Sequence, residues 1–512
     1  MNYPGFYPDL FRATLPETAL EIAALLVLVI DLGFLRKAAL KTRVTTAAIL
    51  GVAGCGAALW ALQIQGGAPF LYGDSTLLAA GTYIAVAQTG ILVLTALTLL
   101  LLIDSVFTRN AGEYVAVVLM AAAGGLLIAA AQDLLVIFVG LELLSLGLYI
   151  LTAFAKTSGK SAEAAMKYYL FGGMSAAFLL FGFSYLYGIS GSTSLQKVVQ
   201  ESFFASMSGG APLLYVALIM VVAGLGFKVA AVPFHLWAPD TYEGAPAPAA
   251  AFIASVSKVA SFALLISISS AILHAFDGVH IVRLVASVGP PPKHVGLQIP
   301  WSLALTVLSA ASMLLGNLAA LAQVSVRRLL AFSAIAHAGY ILLALAYFTR
   351  SPLSTNAILY YILTYGLTTI GAFGAISVVE RATGSDRLDA FLGLHKRNPL
   401  LAAVLLVLFL SLAGIPPLVG FWAKFNLFAA VLNVSRGPVP FALVALAIAM
   451  SAVSLYYYLQ VLKRAYVMPA IDESPIKAHP VTLFVLLAIA AAVVILGCFP
   501  ALLQNWIASF YV

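Results

Sequence analysis

The chain has 512 residues, of which 63% are hydrophobic and only 9% are charged, and its mean hydropathy is +1.06. Soluble domains carry about 25% charged residues, so this composition excludes a water-soluble globule. The formal charge of +7 does not indicate binding to nucleic acid, because the basic residues are scattered singly and in short loop clusters and form no single stripe.

Fourteen mostly apolar stretches are long enough to cross a ~30 Å hydrocarbon core as helices. They run approximately over 15–35, 44–63, 78–103, 113–131, 134–154, 162–188, 212–241, 247–273, 301–321, 328–349, 356–380, 399–431, 438–462 and 481–507. The sequence therefore predicts an all-α polytopic membrane protein with about 14 transmembrane helices, forming one integral-membrane domain over residues 1–512.

The loop lysines and arginines are distributed unequally between the two sides of the predicted bundle. Alternate loops assign sixteen of them to one side and six to the other. Because cytoplasmic loops carry the excess of basic residues, the sixteen are expected in the cytoplasm and both termini on the outer face. The two longest outer loops are expected at 189–211 and 274–300.

The sequence shows no motif for a redox centre, a metal or a nucleotide. Cys55 and Cys498 lie in separate apolar stretches, with no CxxC motif and no Cys/His metal spacing. A Gly-rich phosphate loop of the P-loop or Rossmann type is also missing. Energy for a transport reaction is therefore expected to come from outside this chain.

Four lysines, Lys167, Lys228, Lys258 and Lys424, lie inside predicted membrane spans. A lysine at the centre of a membrane helix costs roughly 2.5–3.5 kcal/mol on insertion scales, so such residues indicate a function. Lys258 is expected ten residues past Pro248, about 15 Å into its helix, where its amine cannot reach the membrane surface. A structural salt bridge is the alternative for Lys258.

Glu142 is the most central acidic residue, eight residues past the predicted helix start at Leu134 and about 12 Å deep. Its alternative is a neutral carboxyl group that is hydrogen-bonded to a neighbouring helix. The protonation of a buried lysine depends on nearby charge, so moving one opposite charge can make it release or accept a proton. Glu142, Lys228, Lys258 and Lys424 together predict a proton path across the membrane midplane.

Residues 212–241 are too long for one regular span and contain Pro233, so we expect a broken helix. Proline has no N–H, and Pro233 therefore frees the carbonyl of Val229. Unwound backbone at this depth is expected to face a polar cavity, beside Lys228. A lysine stem that snorkels from the end of a span is the alternative for Lys228.

Residues 399–431 are also too long for one regular span and also contain prolines. Pro416 and Pro417 free the carbonyls of Leu412 and Ala413, so a second broken helix is expected within two turns of a lysine. Snorkelling is again the alternative for that lysine.

The lysines beside the two breaks, Lys228 and Lys424, are 196 residues apart, and this separation suggests two five-helix units. The two predicted units are 113–273 and 301–462. The flanking segments are 1–112 and 463–512.

Three further intramembrane residues give weaker signals. Lys167 is expected about 9 Å deep behind a helix cap at Ser161, with Glu163 one turn before it, so snorkelling is its alternative. His235 follows the proline of the first break and His337 lies midway along its span; both are candidates for proton relay or for hydrogen-bonded packing. Candidates to hold water between these groups are Ser255, Ser257, Ser333, Tyr340 and Thr369.

Several segments around these residues resemble one family of membrane proteins. The segments are VGLELLSLGLYILTAF, SAEAAMKYYLFGG, GFKVAAVPFHLWAPDTYEGAPAPAAAFIASVSKVASF, NLAALAQVSVRRLLAFSAIAHAGY and LAGIPPLVGFWAKF. They are similar to the antiporter-like subunits of respiratory NADH:quinone oxidoreductase, complex I, from about residue 15 to 507. This resemblance implies fourteen helices, two inverted five-helix repeats and helices broken at the midplane.

The pattern EGAPAPAAAFIASVSKVA, with Lys258, is similar to the N-type subunit of that family. Lys424 stands where the M-type subunit usually has a glutamate, and a chain that ends at 512 lacks the long lateral helix of the L-type subunit. The resemblance implies that Glu142 is the carboxylate partner of Lys228. It also implies that Lys258 is the central proton carrier and that Lys424 lies at the exit side.

The resemblance implies that Lys167 lines the same axis, and His235 and His337 fall in recognisable family motifs. It also implies that NADH, flavin (FMN), iron–sulfur clusters and quinone are bound by other subunits, so no cofactor is expected in this chain. Expected partners are M-type, K-type and neighbouring small membrane subunits, the lipid bilayer, protons and internal water. The expected location is the bacterial inner membrane, with both termini on the periplasmic face.

The sequence therefore predicts a non-redox, proton-translocating membrane-arm subunit that is driven by redox chemistry in other subunits. The main alternative is a cation/proton antiporter subunit of the Mrp type, which shares the fold and the lysines. A membrane-bound hydrogenase subunit of the same family is a further alternative. A purely structural subunit would predict that neutralising Glu142 and Lys258 hardly matters.

Overall fold

The computed structural model describes residues 6–65, 69–72, 75–105, 107–207, 211–274, 298–349, 351–470 and 472–510. Helices form most of the described chain, together with one antiparallel hairpin of β1 (Phe70–Tyr72) and β2 (Ser75–Leu78). Twelve described helices are long and apolar enough to cross a membrane. The prediction of an all-α, multi-pass membrane protein is confirmed.

The described helices are numbered in chain order. They are α1 (Phe6–Ala13), α2 (Leu15–Val29), α3 (Leu40–Gln65), α4 (Thr82–Leu102), α5 (Ala111–Ala130), α6 (Leu134–Thr152), α7 (Gly159–Ser190), α8 (Leu195–Met207), α9 (Ala211–Val229), α10 (Trp237–Gly244), α11 (Ala247–Ala254), α12 (Val256–His274), α13 (Gln298–Leu321), α14 (Val326–Ala346), α15 (Pro352–Thr383), α16 (Leu394–Arg397), α17 (Pro399–Ala413), α18 (Val419–Val434), α19 (Pro438–Tyr466), α20 (Pro480–Cys498) and α21 (Pro500–Ser509). A π-helical turn (Ile30–Phe34) follows α2, and a 3-10 turn (Leu388–Phe391) precedes α16.

The predicted count of fourteen spans is not confirmed. Two predicted spans fall outside the set of twelve helices. The span predicted at 15–35 is α2 with its π-helical turn, bent by 76° from α1. The span predicted at 399–431 consists of α17 and α18, and each of these is shorter than a membrane crossing requires. The predicted outer loop 274–300 lies largely outside the described residues.

The first predicted break, within the span predicted at 212–241, is present. Helix α9 ends at Val229, Ala230 has a left-handed backbone (φ 58°), and the Val232–Pro233 peptide is cis. Helix α10 begins only at Trp237. The carbonyl of Val229 is therefore left without its usual partner in the helix, as the position of Pro233 predicts.

The second predicted break separates α17 from α18. Helix α17 ends at Ala413, and its C-cap Gly414 has φ 89°, a conformation that glycine adopts without steric cost. The Pro416–Pro417 peptide is cis, and α18 begins at Val419. The last carbonyls of α17 are thus available to groups outside the helix.

The span predicted at 247–273 is present as one stretch, Ala247–Leu273, with an irregularity that was not predicted. Within this stretch α11 ends at Ala254 and α12 begins at Val256. Ser255 lies between them with φ −116° and ψ −75°, and its hydroxyl donates to the carbonyl of Ala251 at 2.6 Å. Glycine and proline are absent at this position, so the usual sequence signal for a break is missing.

The positions predicted for Glu142 and Lys167 are counted from the starts of α6 and α7, so these two starts decide whether the positions are right. Asp133 caps α6 by accepting the N–H groups of Leu135 and Val136, so the predicted start at Leu134 is confirmed. The predicted cap of α7 at Ser161 is wrong. Ser158 accepts the N–H of Ser161 at 3.3 Å, and α7 begins one turn earlier than predicted.

Helices α11, α12, α14 and α15 form the buried centre of the bundle, whereas α7 and α19 expose most of their surface. Close backbone contact fixes α14 against α13. A Cβ atom at Gly316 would lie 2.6 Å from the backbone nitrogen of Ala336, and one at Gly339 would lie 2.8 Å from that of Met313. Small residues at these positions let the two backbones approach and hold α14 in the centre.

Gly414→Ala is expected to destabilise the protein more than Gly384→Ala, another glycine with a left-handed backbone (φ 72°) at a helix C-cap. Each alanine costs about 1–2 kcal/mol through its backbone conformation. At Gly414 the new methyl group also meets the Lys424 side chain, 3.0 Å from its Cδ, whereas nothing lies within 4 Å of the Cβ position at Gly384.

The measurement is the thermal unfolding temperature of the purified protein in detergent. Equal losses in the two variants would contradict the claim that Gly414 makes room for Lys424.

Candidate proton-transfer site

Lys258 lies in the centre of the bundle, on the first turn of α12, and is 4% exposed. Its ammonium group donates to the carbonyl of Val229 at 3.3 Å and to the carbonyl of Ala334 at 2.8 Å. The Val229 carbonyl is the one that the break after α9 releases. The broken helix therefore supplies a polar partner for the most deeply placed lysine.

Lys228 and Glu142 are brought together, as the resemblance implies. The Lys228 amine lies 3.9 Å from a Glu142 carboxylate oxygen, and it donates to the hydroxyl of Ser145 on the same helix as Glu142. Lys228 is buried, whereas Glu142 is 27% exposed at the surface of this chain. A salt bridge between α6 and α9 therefore lies beside the first break.

Lys424 lies on α18 and is also buried. Its ammonium group donates to the carbonyls of Leu412 (3.0 Å) and Ala413 (2.9 Å) and to the hydroxyl of Ser451 (2.8 Å). The two carbonyls are those that Pro416 and Pro417 were predicted to free. The second break thus plays the same part for Lys424 that the first plays for Lys258.

Helix α14 lies between the two lysines. Along one side of it, at three-residue spacing, stand Ala334, His337 and Tyr340. The carbonyl of Ala334 accepts from Lys258, and the Lys424 amine lies 5.5 Å from the centre of the Tyr340 ring, within the range of a cation–π contact. His337 occupies the position between these two contacts.

The two histidines have different surroundings. His337 is 4% exposed, and its Nδ1 lies 2.8 Å from the hydroxyl of Tyr361. His235 lies in the first break and is buried, and its Nδ1 has no hydrogen-bond partner in the described part of the chain. Both therefore lie inside the bundle, but only His337 lies between two of the lysines.

Lys167 lies in a different setting from the other three lysines. Its side chain is 41% exposed, and its amine forms ion pairs with Glu163 at 2.7 Å and Asp240 at 2.8 Å. Asp240 also pairs with Arg328 at 2.6 Å, and Arg328 pairs with Glu243 at 3.1 Å. Lys167 thus belongs to a network of charged side chains that connects α7, α10 and α14.

Asp240 lies on α10, outside the membrane-spanning helices. Burial raises the pKa of this carboxyl. The hydrogen bonds and charges of Lys167 and Arg328 together lower it by more, so the pKa lies below its ordinary value. Asp240 is therefore an ionised anchor that holds both cations.

The water candidates proposed from the sequence have mixed surroundings. Ser255 hydrogen-bonds within its own turn, Ser333 pairs with the hydroxyl of Tyr458, and the Tyr340 hydroxyl accepts from Asn317 at 3.2 Å. The hydroxyl of Thr369 is buried without a partner among the described residues. Ser257 is buried as well.

Sequence reasoning missed the cross-helix partners Ser145, Ser451, Tyr361 and Asp240. Serine and tyrosine occur throughout apolar helices as packing residues, so their spacing gives no signal for a site. Asp240 could have been found, because it follows the first break by a few residues and is the nearest acidic side chain there.

Among the described residues, no group of three or more His, Cys, Asp or Glu side chains lies close enough to hold a metal ion. Cys55 is buried and Cys498 is exposed, and neither forms a disulfide. The polar chemistry of the described site rests on amines, carboxylates, imidazoles, hydroxyl groups and backbone carbonyls.

Comparison with known proteins assigns the family. The family described as "NADH:quinone oxidoreductase/Mrp antiporter, TM" matches this chain twice, over residues 131–290 and 291–453. The two matches together cover more than half of the chain.

Relatives of known description match over nearly the whole length. NADH-quinone oxidoreductase subunit N 2 of Acidobacterium capsulatum is 46% identical over 515 aligned residues, which cover 98% of this chain and 99% of the relative. NADH-quinone oxidoreductase subunit N of Desulfovibrio desulfuricans is 37% identical and covers 98% of this chain and 96% of its own length.

Solved structures show the same fold. A chain of respiratory complex I from Thermus thermophilus with bound aureothin has a TM-score of 0.74 and 33% identity, covering 96% of this chain and 98% of its own. A chain of the Mrp complex from Dietzia sp. has a TM-score of 0.77 but only 22% identity, covering 97% and 96%. The fold is therefore common to chains of both kinds of assembly.

Lys167→Arg is expected to retain proton translocation, whereas Lys258→Arg is expected to lose it. Arginine keeps the charge and the ion pairs but does not release its proton. Lys167 is held by Asp240 and Glu163, so the charge is enough there, while a proton carrier must also be able to become neutral.

Proton uptake is measured in vesicles that contain the assembled complex. Loss of uptake in the Lys167→Arg variant would show instead that Lys167 itself carries the proton.

Proposed function

Because the chain belongs to the NADH:quinone oxidoreductase/Mrp antiporter family of membrane proteins, we propose that it is a proton-translocating membrane-arm subunit of an NADH:quinone oxidoreductase. The N-type relatives, with up to 46% identity over nearly the full length, support this assignment. The observation that carries the mechanism is the line of three buried lysines, two of which are held by carbonyls of broken helices.

The proton path consists of Glu142, Lys228, Lys258, His337 and Lys424 in this order across the bundle. Each lysine takes up a proton when its ammonium form is stabilised by its neighbours and releases it when a neighbouring charge changes. Internal water carries the proton between them, because a backbone carbonyl accepts a hydrogen bond but does not itself pass a proton on. Neighbouring lysines repel one another when both are charged, which drives the proton along the line.

Glu142 is the residue through which another subunit acts on the path. It is the carboxylate paired with Lys228, and its 27% exposure at the surface of α6 leaves it open to a neighbouring chain. A neighbour that draws Glu142 away from Lys228 removes the opposite charge and favours release of the lysine proton. Redox energy from other subunits then enters at this end.

His235 is proposed as a further proton-transfer residue at the edge of this path, whereas Lys167 is proposed to act there through its positive charge. Lys167 reaches Asp240 and Arg328, which lie where α10 meets α14. His235 stands in the first break, with a buried ring nitrogen free of hydrogen bonds in the described structure.

The other components of the reaction belong to other subunits. We expect NADH, FMN, the iron–sulfur clusters and the quinone to be bound elsewhere in the complex, with M-type, K-type and small membrane subunits next to this chain. The loop charges support a location in the bacterial inner membrane with both termini on the periplasmic side.

A subunit of an Mrp-type cation/proton antiporter is the second candidate, because the Mrp complex of Dietzia sp. has the same fold. Isolation of the tagged chain from native membranes distinguishes the two. We expect recovery of peripheral redox subunits and NADH:quinone activity. Recovery of a set of antiporter subunits, with sodium-dependent proton exchange in vesicles, would instead establish the Mrp-type function.

Lys258→Ala is expected to abolish proton translocation, or to reduce it at least tenfold, while the complex still assembles. The substitution removes the only amine that donates to both the Val229 and Ala334 carbonyls in the described structure. The measurement is the number of protons moved per NADH oxidised in reconstituted vesicles.

Lys463→Ala is the matched control, because this lysine is exposed at the end of α19. Normal translocation by the Lys258→Ala variant would refute the proposed path.

A further inference from the structure

A small cavity lies between α14, α15 and the second break. Its volume is about 10 Å³, close to the space that one water molecule needs. The residues of its lining that matter here are His337, Tyr361, Thr364, Thr368, Ser411 and Leu412. The cavity therefore has an imidazole on one side and the broken end of α17 on the other.

Leu412 lies between this cavity and Lys424. Its carbonyl accepts a hydrogen bond from the Lys424 amine at 3.0 Å, and the residue also lines the cavity. The hydroxyl of Ser411 accepts the backbone N–H of Gly420 and keeps its own hydrogen available. A water in this cavity would therefore lie next to both His337 and Leu412.

The two ring nitrogens of His337 are not equivalent. Nδ1 lies 2.8 Å from the Tyr361 hydroxyl, and both side chains are almost completely buried. Nε2 is buried and has no hydrogen-bond partner in the described part of the chain. Nε2 is therefore the nitrogen that remains for the cavity.

Resting on the proton path proposed above, we propose that Tyr361 is a positioning residue that confines proton exchange by His337 to Nε2 at this cavity. The tautomer of a histidine is set by the hydrogen bond of its other nitrogen. In the tautomer that we propose, Nδ1–H donates to the Tyr361 oxygen, and Nε2 then has a free electron pair. A proton binds to Nε2 from the cavity and later leaves from the same nitrogen, while Nδ1–H stays bonded to the phenol.

This arrangement gives Tyr361 a function that simple packing does not have. The rings of Tyr340 and Tyr365 also pack around His337, with centroids 5.7 Å and 4.8 Å from it. Only the Tyr361 hydroxyl forms a hydrogen bond to the imidazole among the described residues. Without that hydroxyl the packing around the ring remains, but Nδ1 loses its hydrogen bond.

The first test is Tyr361→Phe in the assembled complex, reconstituted in vesicles. We expect about tenfold slower proton translocation with unchanged assembly, because the ring loses the hydrogen bond that orients it. Tyr360→Phe is the matched control on the neighbouring position of α15. Its hydroxyl donates to the carbonyl of Leu496 at 3.3 Å, and we expect translocation within twofold of the wild type.

The second test repeats Tyr361→Phe in a His337→Gln background. If Tyr361 acts through His337, the second substitution causes no further loss. Additive losses would overturn the proposal, since Tyr361 would then act independently. An unchanged rate in the single Tyr361→Phe variant, together with a loss in Lys258→Ala, would also overturn it while leaving the proton path intact. Normal translocation by Lys258→Ala would refute the path itself.

A measurement on the wild-type complex does not depend on the folding of a variant. Infrared spectra of the complex with ring-¹⁵N-labelled histidine distinguish Nδ1–H from Nε2–H. We expect a buried Nδ1–H signal that disappears in His337→Gln and changes in Tyr361→Phe. Assignment of the His337 signal to the neutral Nε2–H form in the wild type would contradict the proposal.

Discussion

A charged amine in the interior of a membrane protein needs hydrogen-bond acceptors, and regular helices offer almost none. In this chain the acceptors come from the helices themselves, at the places where they are broken. The end of α9 presents the Val229 carbonyl to Lys258, and the end of α17 presents two carbonyls to Lys424. The breaks and the lysines therefore depend on one another, because either alone would leave an unsatisfied polar group in the core.

The hydrogen-bond acceptors around Lys258 and Lys424 are uncharged, and this affects the charge of the two amines. Among the described residues on the path, only Lys228 has a carboxylate within 4 Å, whereas Lys258 and Lys424 are held by carbonyls and a hydroxyl. The charge of these two amines is thus not fixed by a permanent partner. On the proposed path it responds to the charges of neighbouring groups, so that a change at Glu142 is expected to affect residues two helices away. Helix α14 is placed to take part in this, since its Ala334 contacts Lys258 and its Tyr340 contacts Lys424.

The sequence was sufficient for those features whose cause is local in the chain. Proline at positions 233, 416 and 417 removes specific N–H donors, and the freed carbonyls are the ones that accept from lysines. The position of Glu142 in its helix followed from the helix start at Leu134, which Asp133 caps. Periodicity and length likewise gave the all-α membrane fold.

Other features depend on packing between distant parts of the chain, and the sequence could not supply them. The partners Ser145, Ser451 and Tyr361 are common residue types whose role arises only when two helices meet. The interruption at Ser255 has no glycine or proline to mark it. The sequence placed Lys167 inside a predicted membrane span. Its ion pair with Asp240 could not be predicted, because that pair depends on the path of α10 after the first break.

The number of acceptors around each amine distinguishes the lysines further. An ammonium group has three N–H donors and a neutral amine has two. Lys424 has three partners, two carbonyls and the Ser451 hydroxyl, so an ammonium group there can use all three of its N–H donors within the protein. Lys258 has two carbonyl acceptors among the described residues, so an ammonium group there keeps one N–H donor for water.

The two surroundings therefore differ in their need for water. A charged Lys424 finds a protein partner for every N–H, whereas a charged Lys258 needs a water molecule for its third N–H. On the proposed path the proton of Lys258 must pass to water, and this open donor is the position that such a water would occupy. His337, with one nitrogen bonded and the other without a partner among the described residues, lies between the two amines.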